Sequence, residues 1–127
     1  MSVKFNVIEK LNPADPQAPK KFYASSIADG EINLRMLSRE VAQSSSLSES
    51  DVHAVLIGLA RVITRNLAQG RIVRLEDFGT FQISISSHGA DAYHKVNANT
   101  IKGVKLLFRP GLDMREFLSN LKFEKKK

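Results

Sequence analysis

The sequence predicts an α+β fold: an N-terminal β-hairpin, then a helical hairpin, then a three-stranded antiparallel sheet with a protruding β-arm and a short C-terminal helix. Apolar residues alternate with polar ones near the N-terminus, recur at helical spacing from Leu34 to Leu67, and alternate again in short stretches between Ile72 and Phe108. The 127 residues and 43% apolar content are typical of one globular domain. We predict an extension over residues 1–30 and a main domain over residues 31–127, which ends in a basic tail.

The N-terminal extension has the pattern of a β-hairpin. Val3, Phe5 and Val7 alternate with polar residues, as in a strand with one buried face. Three of the four prolines fall in residues 12–19, so this stretch is predicted to be a loop. Residues 20–27 can return as a second strand, and a following Asp-Gly pair turns the chain.

Two helices are predicted next. Apolar residues repeat at helical spacing behind Asn33, a favourable N-cap residue. A second helix is predicted over residues 51–69, preceded by the capping motif that starts at Ser48 and ended by Gly70. Its apolar residues cover more than one face, which is typical of a helix that packs against a partner subunit. They include Val52, Val55, Leu56, Leu59, Ile63 and Leu67.

The rest of the chain is predicted to be mostly sheet. Apolar and polar residues alternate in three short stretches, which predicts strands at residues 72–75, 81–86 and 104–108. The polar stretch 87–103 has little apolar periodicity and is predicted to be a protruding hairpin or a flexible arm. A short helix is predicted over residues 112–120, behind a Pro-Gly turn.

The charge indicates a polyanionic partner. Lys and Arg number 19 against 13 Asp and Glu, and residues 71–127 hold eleven of these bases and six of these acids. Such an excess is typical of nucleic-acid-binding domains; the alternative is that the four lysines in residues 122–127 form a solubilising tail. The sequence has no cysteine, which excludes disulfides and thiolate metal sites. Without an apolar run of membrane length or a signal-peptide core, we predict a cytoplasmic protein.

Two motifs resemble the bacterial histone-like HU/IHF family. The segment DFGTF (residues 77–81) matches that family's glycine-aromatic turn, and FRPG (residues 108–111) matches its basic Pro-Gly turn. The helical hairpin in front has the family's order and length, so the resemblance covers residues 31–120. Because residues 1–30 lie outside the usual HU chain, the resemblance is to HU-like variants with an N-terminal extension.

The resemblance implies an intertwined dimer, either a homodimer or a heterodimer with a paralogue, that binds double-stranded DNA with little sequence specificity. In this family the helices form the dimer body, the sheets form a saddle, and the arms reach into the minor groove. It implies a nucleoid-associated protein that condenses DNA and needs no cofactor, metal, membrane or small-molecule substrate. The candidate DNA-binding residues are Arg71, Arg74, Ser84, Ser86, His88, His94, Lys95, Lys102, Lys105 and Arg109.

The arm departs from the family pattern. Residues 87–103 contain neither the family's wedging proline nor its arginines, and serines stand where arginines usually face the DNA on the preceding strand. Each missing cation removes a phosphate contact and the counterion release that goes with it. Tyr93, Val96 or Ile101 could act as the wedge instead; the alternative for each is packing within the arm.

No constellation of nucleophile, base and orienting group is visible, so we predict that the chain is not an enzyme. His53 has no nucleophile near it in the sequence, and His88, His94 and Asp91 make a weak metal-ligand set.

Two other functions stay open at this point. The HU scaffold could serve as a protein-interaction or structural module, with the N-terminal hairpin offering an edge strand to a partner. The chain could also bind single-stranded nucleic acid, although Tyr93 is the one stacking ring of the arm.

Overall fold

The computed structural model describes residues 1–126 and contains two compact units. The first comprises Met1–Asn33 and the segment from Leu118 onward, and the second comprises Leu34–Phe117. Lys127, the last of the C-terminal lysines, lies outside the described residues. The elements are β1 (Val3–Lys10), β2 (Lys21–Ile27), α1 (Leu34–Gln43), α2 (Glu49–Ala68), β3 (Val73–Arg74), β4 (Gly79–Ser87), β5 (Ile101–Pro110), α3 (Leu112–Ser119) and β6 (Phe123–Lys125). The described residues therefore form a mixed α+β fold with three helices and two three-stranded sheets.

The first unit is a three-stranded sheet in the order β2-β1-β6. The predicted hairpin is confirmed, because β1 and β2 pair antiparallel in a register that places Val7 opposite Ala24. In the loop between them, the side-chain oxygens of Asn12 and Asp15 accept backbone N–H bonds from two residues further on, at 3.0 and 3.2 Å. These turns reverse the chain within the proline-containing segment.

Strand β6 is not predicted by the sequence pattern. It runs parallel to β1, with Phe123 opposite Val3 and Lys125 opposite Phe5. Two backbone bonds of 2.8 Å flank the pairing, from Val3 N–H to the Lys122 carbonyl and from Lys126 N–H to the Phe5 carbonyl. Three residues are too few to show a period; they become a strand because β1 offers them an edge. This part of the basic tail is therefore structured.

The predicted helical hairpin is present in the second unit. Ser48 caps α2, since its Oγ accepts the Asp51 N–H at 3.1 Å. Gly70 follows the helix with a φ of +81°, the left-handed conformation predicted for a residue after the C-cap.

A hydroxyl–imidazole contact joins the two helices. Ser38, which is 0% exposed, donates its hydroxyl proton to the Leu34 carbonyl at 2.7 Å. His53 Nδ1 lies 3.3 Å from the same Oγ. Because the Ser38 proton is used on Leu34, we assign the second bond to an Nδ1–H donated by His53. The structure thus places a hydroxyl beside His53, and this buried contact holds α1 against α2.

The two turn motifs that the sequence singled out pack against each other. The Gly111 N–H donates to the Phe78 carbonyl at 3.0 Å, and the Asp113 N–H donates to the Asp77 carbonyl at 3.1 Å. A Cβ on Gly111 would overlap the Asp77 carbonyl, so this close approach requires glycine. The pairing of the turns fixes the end of β5 beside the start of β4.

The arm differs from the predicted β-arm. The ladder of β4 and β5 ends where Ser87 pairs with Ile101, and residues 88–100 form two short 3-10 turns instead of strands. Asn97 Oδ1 accepts the Asn99 N–H at 2.8 Å, and the Thr100 hydroxyl donates to the Asn97 carbonyl at 2.7 Å. Bonds of this kind satisfy backbone groups of the second turn without a cross-strand partner.

The second unit leaves most of its apolar residues uncovered. Among residues 1–126, Val52 is the one buried apolar side chain, at 3% exposed. Large apolar side chains of both helices and of the sheet are exposed; they include Leu37, Val41, Val55, Leu59, Val62, Ile83, Ile85, Val104, Leu106 and Phe108. An open cleft of about 480 Å³ lies between the C-terminal part of α2 and the sheet, lined by Leu67, Ile83, Val104 and Leu106 among others. A single copy therefore leaves its apolar core open on one side.

Candidate nucleic-acid interface

The register of the second sheet, β3-β4-β5, separates an apolar face from a polar face. Residues that pair across antiparallel strands share a face, and the faces alternate along each strand. The apolar face carries the rows Val73–Phe81–Phe108, Ile83–Leu106 and Ile85–Val104. The polar face carries the rows Arg74–Thr80–Arg109, Gln82–Leu107, Ser84–Lys105 and Ser86–Gly103.

Three cations stand on the polar face. Thr80 pairs with Arg74 on one side and Arg109 on the other. Neighbouring strands are about 4.8 Å apart, so the two arginine backbones lie about 10 Å apart. Lys105 follows on β5, about 13 Å along the strand from Arg109. None of the three forms an ion pair with an acid in the part of the chain that the structure describes, so their charges are available to an anion.

The polar face also carries uncharged donors. Ser84 and Ser86, both predicted site residues, share this face with the cations, and Ser84 is paired with Lys105. The structure adds Thr80 and Gln82, which sequence reasoning missed although their alternation with Phe81 could have indicated them. Leu107 lies opposite Gln82 as the apolar member of this surface.

Arg71 and Lys102 are placed differently from the other predicted residues. Arg71 precedes β3, and its Nη1 donates to Asn66 Oδ1 at 2.8 Å, at the end of α2. Lys102 sits at a β-bulge: Ser86 pairs with Gly103 and Ser87 with Ile101, which leaves no residue opposite the lysine. The register therefore does not place either residue in the rows of the polar face.

The arm carries the remaining predicted residues. His88 follows β4, and its N–H donates to the Thr100 carbonyl at 2.8 Å, closing the loop. His94 and Lys95 lie with Tyr93 in the first 3-10 turn, and all three side chains are exposed. The arm thus presents one lysine, two histidines and an exposed phenol ring, separate from the rows of the sheet.

Neither a metal centre nor a membrane span is found within residues 1–126. No three His, Asp or Glu side chains of this range are grouped closely enough to hold a metal ion. The helices of the same range are also too short or too polar to cross a bilayer.

The comparisons with known proteins concern the whole chain. A family model described as an HU domain fused to a wHTH, Ig or glycine-rich motif matches residues 1–125. A solved structure from Bacteroides vulgatus ATCC 8482, described as a candidate bacterial DNA-binding protein, superimposes with a TM-score of 0.62 at 13% sequence identity. The match covers 98% of this chain and 49% of that one, so the chain spans about half the length of the solved protein. No curated protein matches the sequence.

Proposed function

The chain belongs to the HU-HIG family, in which an HU domain is fused to a wHTH, Ig or glycine-rich motif, and from this premise we propose that it is an architectural DNA-binding protein of the nucleoid. It binds double-stranded DNA through the polar face of the second sheet, with low sequence specificity. The observation that carries this proposal is the strand register, which places Arg74, Lys105 and Arg109 on one face without acidic partners.

The binding mechanism follows from the residue types on that face. Guanidinium and ammonium groups neutralise phosphates and release counterions, which makes affinity depend steeply on salt. The hydroxyls of Thr80 and Ser84 and the amide of Gln82 can donate to phosphate oxygens, contacts that position a duplex without reading its sequence.

The proposed functional unit is a dimer. The exposed apolar face of the sheet and the exposed apolar residues of α1 and α2 are what an isolated half of a shared core would show. A second copy is the simplest occupant, and a paralogue is the alternative. In such a dimer two polar faces would act together on one DNA segment, which raises affinity through effective concentration.

In the proposed complex the arm contributes less than the polar face of the sheet. Residues 88–100 carry one lysine and no arginine or proline, so we propose that the arm adds little electrostatic affinity. Tyr93, Val96 and Ile101, all exposed, stay the candidates for an apolar wedge.

The test is binding to a fluorescent duplex of about 30 base pairs across a salt series. Arg74→Ala/Lys105→Ala/Arg109→Ala should bind at least tenfold more weakly, and its slope of log affinity against log salt should fall by about 5.4, since the proposed dimer loses six phosphate contacts of about 0.9 each. The matched control, Lys4→Ala/Lys10→Ala/Lys20→Ala, removes the same charge from the first unit.

Equal weakening in the two triple variants would contradict the assignment of the polar face. Failure of the wild-type protein to bind even at low salt would overturn DNA binding itself. It would then favour the other function, a structural or protein-interaction module on an HU scaffold.

A further inference from the structure

The two outer edges of the first sheet differ in how they are protected. β6 is three residues long and contains Glu124 and Lys125, so it is a short and charged edge. β2 is seven residues long, and Lys21 at its end is its only charged residue. Short strands and charges discourage edge-to-edge pairing, whereas a long uncharged strand with free backbone groups invites it. Among the described residues, β2 pairs on one side only, with β1.

From this asymmetry we propose that β2 is a homotypic docking edge, which pairs antiparallel with β2 of a second copy and makes one continuous six-stranded sheet. This surface is distinct from the polar face and from the proposed helix-mediated dimer. It gives the N-terminal extension a role of its own, as a connector between copies of the chain.

The sequence of β2 fits self-pairing. The register that overlaps all seven residues places the two-fold axis at Ala24, the middle of the strand. Each Phe22 then lies opposite a Ser26, and each Tyr23 lies opposite a Ser25. Lys21 faces Ile27 and not another lysine, so no like charges meet. Small residues at the axis allow the backbones to approach, and each aromatic residue has a small one opposite.

A cleft on the same face can receive the partner's aromatic ring. Phe22 shares a face with Ala24 and Ser26 and is 70% exposed at the edge of the sheet. Next to it, a shallow cleft of about 370 Å³ is lined by Phe5, Ala24, Ser26 and Phe123. In the two-fold pairing, Phe22 of the partner subunit lies beside Ser26, so its ring can cover this cleft. Burial of the ring adds an apolar contribution to the backbone bonds.

Two different two-fold interfaces in one chain have a consequence for assembly. Together with the proposed helix-mediated dimer, the β2 edge would link dimers into tetramers or longer chains. This consequence rests on the proposed dimer, but the edge pairing itself does not.

The experiment measures mass by sedimentation of the full chain without DNA, at concentrations up to about 100 µM, a range chosen because a single strand pair is a small interface. Ala24→Lys places two lysines opposite each other at the axis, where facing Cβ atoms are about 5 Å apart. We expect the wild type to reach at least twice the mass of this variant. Asn6→Lys, an exposed position on the central strand, adds the same charge away from the edge and should keep the wild-type mass.

Mixing provides the test of register. Ala24→Glu alone should also have the lower mass, and an equimolar mixture of Ala24→Lys and Ala24→Glu should regain the higher mass, because opposite charges then face each other. A misfolded variant could not give this rescue. Equal masses for the wild type and both variants would overturn the proposal, as would a mixture that stays at the lower mass.

The same data keep the two proposals apart. If Ala24→Lys is a dimer, the helix-mediated dimer persists without the edge. If it is a monomer while the wild type is a dimer, the edge pairing holds and the helix-mediated dimer is wrong.

Discussion

The two faces of the second sheet carry opposite chemistry on neighbouring residues. Leu106 belongs to the apolar face and is 58% exposed, whereas Leu107 belongs to the polar face and is 37% exposed. If exposure in a single copy measured importance for stability, Leu107 would matter more. The strand register suggests the reverse, since Leu106 shares its face with Ile83 and Phe108. If a second chain completes the core, as proposed, exposure in a lone chain is a poor guide to a residue's importance for stability.

The largest expected effect is the difference between aspartate substitutions at these two leucines. Leu106→Asp buries a carboxylate in the proposed dimer core and should abolish the dimer and lower the melting temperature by more than about 10 °C. Leu107→Asp should leave the dimer intact and weaken duplex binding roughly tenfold, because its charge repels phosphate. Sedimentation and thermal melting of both variants test this; a loss of dimer only in Leu107→Asp would reverse the assignment of the faces.

The next effect concerns the turn that positions Arg109. Gly111→Ala forces a methyl group against the Asp77 carbonyl and should destabilise the fold by about 2–3 kcal/mol, within the range for steric overlap in a close contact. It should also weaken DNA binding, because the end of β5 shifts. Gly89→Ala is the control, since a Cβ there meets nothing within 4 Å. Similar melting temperatures for both variants would show that the turn contact is not needed.

A smaller effect, on the salt dependence of DNA binding, is expected to differ between two arginines near one strand. Arg74→Ala should reduce the slope of log affinity against log salt by about 1.8, the loss of one phosphate contact of about 0.9 in each subunit of the proposed dimer. Arg71→Ala should leave the slope unchanged, because the register does not place Arg71 on the polar face and its guanidinium bonds to Asn66. Equal slopes in the two variants would extend the DNA-binding surface beyond the polar face.

The smallest effect concerns an uncharged contact. Ser84→Ala should weaken duplex binding by about fivefold, the cost of one hydrogen bond of about 0.5 kcal/mol in each subunit of the proposed dimer. The salt slope should stay as in the wild type, since no counterion is released by a hydroxyl. A change in slope would mean that the substitution moves Lys105, its cross-strand partner.

Local sequence patterns were sufficient to predict much of the secondary structure of this protein. Periodicity located both helices, the hairpin and the strands of the second sheet, because each element's side-chain period is a property of its own residues. Ser48 and Gly70 marked the ends of α2 through capping chemistry that acts within one turn. Alternation also placed Arg74 and Lys105 away from their apolar neighbours.

Such patterns could not predict which residues lie opposite each other on neighbouring strands. Alternation assigns a residue to a face of its own strand, but the partner opposite it depends on turn geometry and register. Lys102 and Lys105 look equivalent in the sequence, and only the bulge at Lys102 separates them. The arm was predicted to be a protruding hairpin or a flexible arm, and it contains two 3-10 turns instead, the second capped by side-chain bonds of Asn97 and Thr100.

Local sequence patterns predict the α+β class, the order of the elements and the two turn motifs, because these depend on contacts between residues close along the chain. The tertiary structure decided which cations share a face, which edge strand is left open and where the C-terminal segment pairs. Those features depend on register and on edges supplied by distant segments. A strand of three residues such as β6 is too short to show a sequence pattern, and it forms because β1 lies beside it.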